Sequence, residues 1–158
     1  MKRLSILFLF AASLSAHAEM SGRDQELMGE AFGYFRKGAY AQAIKTASQI
    51  KTREAKDRAN VAYFLASTHA KAQDFEKSLP FYAEAERLGH DAETLPYDYG
   101  QALYASQRLK EAEVEFNKSI NRKFKMAASA YYVGFIRQTL DDHKGATEIY
   151  QRIQRISN

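Results

Sequence analysis

The chain of 158 residues contains no cysteine, only two prolines and only eight glycines. The lack of cysteine excludes disulfides, thiolate catalysis, Cys-ligated zinc sites and a lipid-modified cysteine. So few prolines and glycines leave little room for long linkers, and neither a glycine-rich phosphate loop nor a nucleophile elbow occurs. A hydrophobic fraction of 46% is typical of a packed protein and not of a disordered chain, so the composition indicates one globular domain.

Long apolar runs are also scarce, and the longest lies at the N-terminus. Residues 4–14 are almost all apolar, which is too short for a comfortable bilayer span. Lys2 and Arg3 precede this run, and residues 16–18 follow it with the small-x-small pattern of a cleavage site. We therefore expect residues 1–18 to be a secretory signal peptide. Its short, Ala-rich form is typical of bacteria, so we expect the periplasm first and secretion second.

An excess of one charge is missing as well. The chain carries 23 basic and 19 acidic residues, a net charge of +4. Two of the basic residues lie in the signal peptide, so the mature chain has 21 basic and 19 acidic residues and a net charge of +2. This balance gives no reason to expect nucleic acid or an anionic membrane as partner. His69 is expected to be a packed structural histidine, and His90 and His143 have no second histidine at metal-ligand spacing. We therefore predict no cofactor, no metal and no catalytic residue, and hence no enzyme.

What the sequence does contain is a repeat of about 34 residues. Four small residues, separated by 35, 34 and 34 positions, are Ala43, Ser78, Ala112 and Ala146. Four places later three copies carry an aromatic residue, and the first carries Ala47; the aromatics are Tyr82, Phe116 and Tyr150. A period near 34 is typical of a helix–turn–helix unit that stacks into a solenoid, so no unit buries its apolar face alone.

Four copies account for the mature chain, residues 19–158. They begin near Asp24, Ala59, Glu93 and Ala127, and span about 24–58, 59–92, 93–126 and 127–158. Helical periodicity predicts second helices over residues 41–53, 76–88, 110–121 and 144–156. Pro96 falls in a first helical turn, whereas Pro80 falls inside a second helix and should remove one hydrogen bond there.

Four residue pairs in the first helices, each ending in Ala or Gly, carry a family resemblance. They are Glu30-Ala31, Leu65-Ala66, Tyr99-Gly100 and Val133-Gly134, followed three places later by Tyr34, His69, Leu103 and Arg137. With the later small residue and aromatic, this pattern resembles the tetratricopeptide repeat (TPR) family over nearly all of the mature chain. The family's closing proline is replaced by Ala55, His90 and Phe124. The resemblance implies an all-α, right-handed solenoid of about four helix–turn–helix units.

In this family the first helices line a concave groove, and the resemblance implies the same here. The predicted partner-binding residues are Met28, Phe32, Phe35, Asn60, Tyr63, Tyr97, Gln101, Tyr104, Tyr131, Phe135 and Gln138. Aromatic rings with polar tips suit a binding surface, although a small solenoid also needs such residues in its core. Family members that clamp a terminal carboxylate use Lys, Arg and Asn at places that here hold Met28, Phe32, Phe64, Thr94 and Asp98. The sequence therefore predicts an apolar or mixed peptide, or a helix, as the bound segment.

These observations predict a non-enzymatic scaffold that binds a peptide or helix of another cell-envelope protein. A binding module for a small ligand, glycan or lipid, is the alternative. At the C-terminus, Ile149, Ile153 and Ile156 share one stripe. We expect this stripe to pack inward and close the solenoid, with a homodimer through the last helix as the alternative.

Overall fold

The computed structural model describes residues 20–157, which form eight α-helices and no β-strand over that range. In chain order they are α1 (Gly22–Arg36), α2 (Tyr40–Ala47), α3 (Ala55–Lys71), α4 (Phe75–Arg87), α5 (Leu95–Ala105), α6 (Leu109–Asn121), α7 (Met126–Thr139) and α8 (His143–Ser157). The helices pack in four consecutive pairs, and each pair packs on the next. The predicted all-α solenoid is confirmed. The predicted signal peptide, residues 1–18, lies outside the described residues.

The turn inside each pair is a Schellman motif, which ends the first helix without a proline. In the first pair the Ala39 amide donates to the Tyr34 carbonyl at 3.0 Å, and the other three turns repeat this bond. One residue per turn is left-handed, with φ between 60° and 73°, and these residues are Gly38, Gln73, Gln107 and Asp141. In the fourth turn Asp142 then caps α8, because its Oδ1 accepts from the Gly145 amide at 2.9 Å.

Small residues in the first helices make room for the aromatics of the second helices. A Cβ atom on Gly100 would lie 3.0 Å from the ring of Phe116, and one on Gly134 would overlap the ring of Tyr150. The aromatics also join successive pairs. Tyr82 stacks on Tyr99 with ring centroids 5.5 Å apart, and the Phe116 ring lies parallel to that of Tyr132 at 4.5 Å. The stacking expected of such a repeat thus rests on aromatic contacts from the second pair to the third and from the third to the fourth.

The first pair departs from the prediction, because its second helix is short. A helix over residues 41–53 was expected, but α2 ends at Ala47. Ile50 instead packs against the core of the first pair, and the Lys51 amide donates to Asp24 Oδ1 at 3.3 Å. These contacts draw the chain away from the helix axis, and Ala47 offers no large side chain to extend the packing of α2.

Two apolar clusters form the core. The smaller joins α1, α2 and one face of α3, and the larger runs from α3 to α8. Ile149 is buried in the larger cluster and Ile153 packs at its edge, as the C-terminal stripe predicted, whereas the side chain of Ile156 lies outside the described part. Pro96 lies in the first turn of α5 as predicted, and Pro80 lies inside α4 on an exposed surface.

Candidate binding groove

Two clefts lie along the side of the solenoid that the first helices form. The first, which we call the bowl, has a volume of about 330 Å³ and is formed by α1, α3 and His90. Its walls are Met28, Phe32, Phe35, Asn60, Tyr63, Phe64, Ser67 and His90. The second, which we call the trough, has a volume of about 480 Å³ and lies chiefly between α3 and α5. Ser67 belongs to both clefts, so one segment of a partner could pass from bowl to trough.

The bowl is built around three phenylalanine rings. The ring centroids of Phe32 and Phe64 lie 4.9 Å apart, and those of Phe35 and Phe64 lie 5.8 Å apart. Phe64 is buried, whereas Phe32 is 49% exposed. Phe32 on α1 thus rests on a fixed aromatic base from α3 and offers much of its ring to solvent. Such a surface binds an apolar side chain by removing both surfaces from water.

Tyr63 forms the wall between the two clefts. Its ring stacks on His90 with centroids 4.4 Å apart, and its hydroxyl donates to Asp98 Oδ2 at 2.6 Å and contacts Thr94 Oγ1. Burial, followed by the bond to Asp98, raises the pKa of Tyr63 to about 12. The phenol therefore stays protonated at neutral pH and holds the Asp98 carboxylate in place.

His90 is a wall residue of the bowl that was not predicted from the sequence. Neither of its ring nitrogens finds a hydrogen-bond partner within residues 20–157. Burial lowers the pKa of His90, and only the nearby Asp91 opposes this. The imidazole is therefore neutral at neutral pH and acts as a flat, largely apolar surface. The signal for this role was its place in the repeat, since His90 occupies the position of the family's closing proline.

The trough is more polar than the bowl. Asp98 and Lys71 are its only charged wall residues in the described chain, and Gln101, Tyr104 and Tyr132 lie beside them. The rings of Tyr104 and Tyr132 meet edge-on at 5.2 Å. Tyr82 lies at the base of the trough, where burial and then the charge of Asp98 raise its pKa. The negative charge of Asp98 therefore acts on Tyr82 at the base of the trough.

Tyr97 was predicted to face the groove, but it lies in the core and is only 7% exposed. Its ring meets those of Phe116, Phe124 and Tyr132 edge-on, at 5.9, 6.1 and 6.4 Å. The ammonium group of Lys125 lies 4.5 Å from the centre of the same ring. Residues of the α6–α7 turn thus cover Tyr97, which leaves it little surface for a partner.

The other predicted groove residues fall into two groups. Seven of them line the clefts, namely Met28, Phe32, Phe35, Asn60, Tyr63, Gln101 and Tyr104. Three stand on α7 outside both clefts, namely Tyr131, Phe135 and Gln138. Tyr131 is 61% exposed, with Tyr150 beside it at 6.2 Å. Phe135 meets Tyr104 edge-on at 6.2 Å, so this group continues the line of the trough.

No feature of the described chain forms a metal site or a membrane span. Among residues 20–157 no three His, Asp or Glu side chains come together in a group able to hold a metal ion. No helix in this range has both the length and the apolar character needed to cross a bilayer. His69 is packed as expected: it is buried and stacks on Phe81 at 5.5 Å, and burial lowers its pKa.

Solved structures with this architecture are TPR proteins. MamA from Desulfovibrio magneticus RS-1, residues 41 to the end, has a TM-score of 0.71 at 15% identity over 85% of this chain and 75% of its own. YrrB, described as a TPR protein with an unusual peptide-binding site, has a TM-score of 0.71 at 18% identity, and the match covers 84% of this chain and 68% of YrrB. The first TPR of Spaghetti (RPAP3), bound to the HSP90 peptide SRMEEVD, has a TM-score of 0.64 at 18% identity, and the match covers 75% of this chain and 94% of the RPAP3 domain.

These similarities establish the fold: the chain folds as a TPR solenoid. No protein-family model matches the sequence, and no curated protein is recognisably similar to it. At 15–18% identity the solved structures speak to the architecture alone, so the function must be argued from the groove itself.

Proposed function

We propose that this protein is a non-enzymatic scaffold that holds a peptide or helical segment of a partner protein in the bowl and trough. The observation that carries the proposal is the continuity of the two clefts at Ser67, with exposed aromatic surface at Phe32. Together they form a furrow across three helices. A furrow suits a chain segment that enters and leaves at its ends, whereas an enclosed cavity suits a small ligand.

Two of the structural neighbours support this mode of binding by analogy. The RPAP3 TPR domain holds an HSP90 peptide, and YrrB is described as having an unusual peptide-binding site. The RPAP3 ligand, SRMEEVD, is acidic near its C-terminus. The corresponding family clamp positions here hold no Lys, Arg or Asn. We therefore propose peptide binding without a carboxylate clamp.

We further propose that the scaffold works in the bacterial periplasm on another envelope protein. The support is the signal-peptide pattern of residues 1–18. Expression of the full chain in a bacterium, followed by cell fractionation and N-terminal sequencing, tests this. We expect a periplasmic protein that begins at Glu19. Full-length protein in the cytoplasm would contradict the proposed location but would not bear on the proposed binding groove. A homodimer through α8 stays a prediction.

The groove is tested by crosslinking pull-down from the envelope fraction with wild type, Phe32→Ala and Val114→Ala. Val114 is a matched control, because it is 55% exposed but lies on α6 outside both clefts. Wild type and Val114→Ala should recover the same protein, which Phe32→Ala loses. With a peptide of that protein, Phe32→Ala should cost about 1–2 kcal/mol of binding free energy, roughly tenfold in Kd.

Two results would count against the scaffold. Equal recovery by Phe32→Ala and wild type would mean that partners bind elsewhere. If no protein is recovered and the Tm of wild type, but not of Phe32→Ala, rises with envelope glycans or lipids, the small-ligand alternative is correct.

A further inference from the structure

We infer that the bound segment carries an apolar side chain for the bowl and, next to it, a cationic side chain, Lys or Arg, for Asp98. This inference rests on the proposed function and names the chemistry of its partner. It follows from what lines the two clefts and from how Asp98 is held between them.

The bowl itself offers no formal charge to a ligand at neutral pH. Its walls are three phenylalanines, one methionine and one tyrosine, with Asn60, Ser67 and the neutral His90. A charged side chain placed there would lose its hydration without gaining an ion pair. An aromatic or aliphatic side chain loses no such interaction and buries apolar surface against Phe32 and Phe64.

Asp98 lines the trough and contacts the hydroxyl of Tyr63, a wall residue of the bowl. The Tyr63 hydroxyl fixes its position through the 2.6 Å bond to Oδ2. Within the part of the chain that the structure describes, no Lys, Arg or His lies within ion-pair distance of this carboxylate. Asp98 is also only partly exposed, so its charge is less screened by water than that of a surface carboxylate. A held, unpaired and partly buried carboxylate is complementary to a cation.

Lys71 is the other charged wall residue of the trough, but it does not neutralise Asp98. It is exposed at the end of α3, eight residues beyond Tyr63, which places it about 12 Å further along the helix axis. Lys71 is therefore set apart along α3 from the level of Tyr63, where Asp98 is bonded. A segment that leaves the bowl meets the negative charge first and the positive charge later.

The position of Asp98 also limits the spacing in the ligand. Tyr63 links the bowl to Asp98, because it lines the bowl and its hydroxyl bonds to the Asp98 carboxylate. An extended chain advances about 3.3 Å per residue, so the cation should stand about two residues from the apolar anchor. In a helical ligand the two side chains would need to share one face, three or four residues apart.

The test uses labelled peptides with blocked termini and fluorescence anisotropy. Each peptide carries one Phe in a Ser/Ala background, with Arg, Gln or Glu two residues away. Wild type should bind the Arg peptide about tenfold more tightly than the Gln peptide, and the Glu peptide most weakly. The preference for Arg should shrink as salt is raised, because screening weakens the ion pair.

Asp98→Asn is the decisive variant, because Asn removes the charge and keeps an oxygen that accepts from Tyr63. It should abolish the Arg preference, so that the Arg peptide binds no more tightly than the Gln peptide. Asp141→Asn is the matched control: it removes a carboxylate in the exposed α7–α8 turn, where Asn tolerates the left-handed backbone. This control should retain the tenfold preference.

The possible results separate the inference from the function on which it rests. If wild type binds all three peptides equally, or Asp98→Asn keeps the Arg preference, the cation assignment is wrong. The groove still stands in that case, provided that Phe32→Ala weakens all three peptides. If Phe32→Ala binds the peptides as tightly as wild type does, both the cation assignment and the proposed groove are wrong. If no peptide of the set binds wild type, the inference is wrong and the envelope pull-down alone decides the function. Should Asp98→Asn unfold, the salt dependence of wild type gives the same decision.

Discussion

Tyr63 and Tyr97 stand at equivalent places of two repeats, 34 residues apart, yet one borders a binding cleft and the other belongs to the core. The difference comes from the residue that follows each of them 27 places later, at the family's closing-proline position. There His90 stacks on Tyr63, and Phe124 meets Tyr97 edge-on. Lys125 and Tyr132 then complete the cover of Tyr97. The exposure of a groove tyrosine is therefore set by the next turn of the solenoid as well as by its own helix.

The largest expected contrast is in stability. Tyr97→Ala should lower the free energy of unfolding by about 3–5 kcal/mol, because it leaves a cavity among packed aromatic rings. Tyr63→Ala should cost less, about 1–2 kcal/mol, because the hydroxyl bonds to Asp98 and Thr94 and the ring contacts with His90 and Tyr82 are lost at a half-buried site beside an open cleft. Urea unfolding of both variants measures the difference. Equal losses would mean that the two tyrosines are structurally equivalent despite their different surroundings.

A smaller contrast is expected for the two residues that cover these tyrosines. Phe124→Ala should cost about 2 kcal/mol of unfolding free energy, because Phe124 packs on the larger core cluster. His90→Ala should cost about 1 kcal/mol, since the lost stack lies at the wall of an open cleft. The same urea titrations compare them. If His90→Ala lost more unfolding free energy than Phe124→Ala, His90 would be the more important packing residue of the two, contrary to this prediction.

The smallest expected effect is on the pH dependence of the free energy of unfolding. The variant His90→Phe tests it, because it places on Tyr63 the same residue type that Phe124 places on Tyr97. Burial holds the pKa of His90 below its ordinary value of about 6.5 in the folded state. As pH falls through that ordinary value, the unfolded chain takes up a proton that the folded protein resists. The free energy of unfolding therefore decreases with falling pH until the folded pKa is passed. Other charged groups near His90 on its outer side are Glu86, Asp91, Glu93 and Arg122.

His90→Phe should reduce this loss of stability between about pH 7.5 and about pH 5.5 and change little at neutral pH. Part of the dependence should remain, because burial also lowers the pKa of His69. Urea unfolding at the two pH values, with wild type beside it, measures the change. An unchanged slope would show that protonation of His90 is not linked to folding.

Most of the fold was predictable from the spacing of small and aromatic residues. All four second helices begin one residue before the predicted start, at Tyr40, Phe75, Leu109 and His143. The short α2 was not predictable, since no Pro or Gly stops a helix over residues 41–53. Its end depends on contacts of Ile50 and Lys51 with α1 and the first core cluster, which no local pattern records.

The groove residues were predictable only where their exposure depends on a single helix. Helical spacing identifies the line from Met28 to Phe35 and the place of Tyr63. It could not separate Tyr63 from Tyr97, because the covers come from a turn 27 residues further along the chain. The role of Asp98 was also partly visible, as a residue incompatible with a carboxylate clamp. Its bond to Tyr63, which sets where its charge lies, required the packed structure.

The short α2 has a consequence for the affinity of the groove. The smaller core cluster joins the first pair to one face of α3, whereas the larger cluster ties the other three pairs together through stacked aromatics. In a linear array a terminal unit with a weaker interface opens more often than its neighbours. The bowl exists only while α1 stays docked on α3, so each local opening of the first pair removes Met28, Phe32 and Phe35 from its walls. The measured Kd is then the intrinsic Kd divided by the fraction of molecules in which the first pair is docked. A ligand bound in the bowl in turn stabilises the docked state of the first pair.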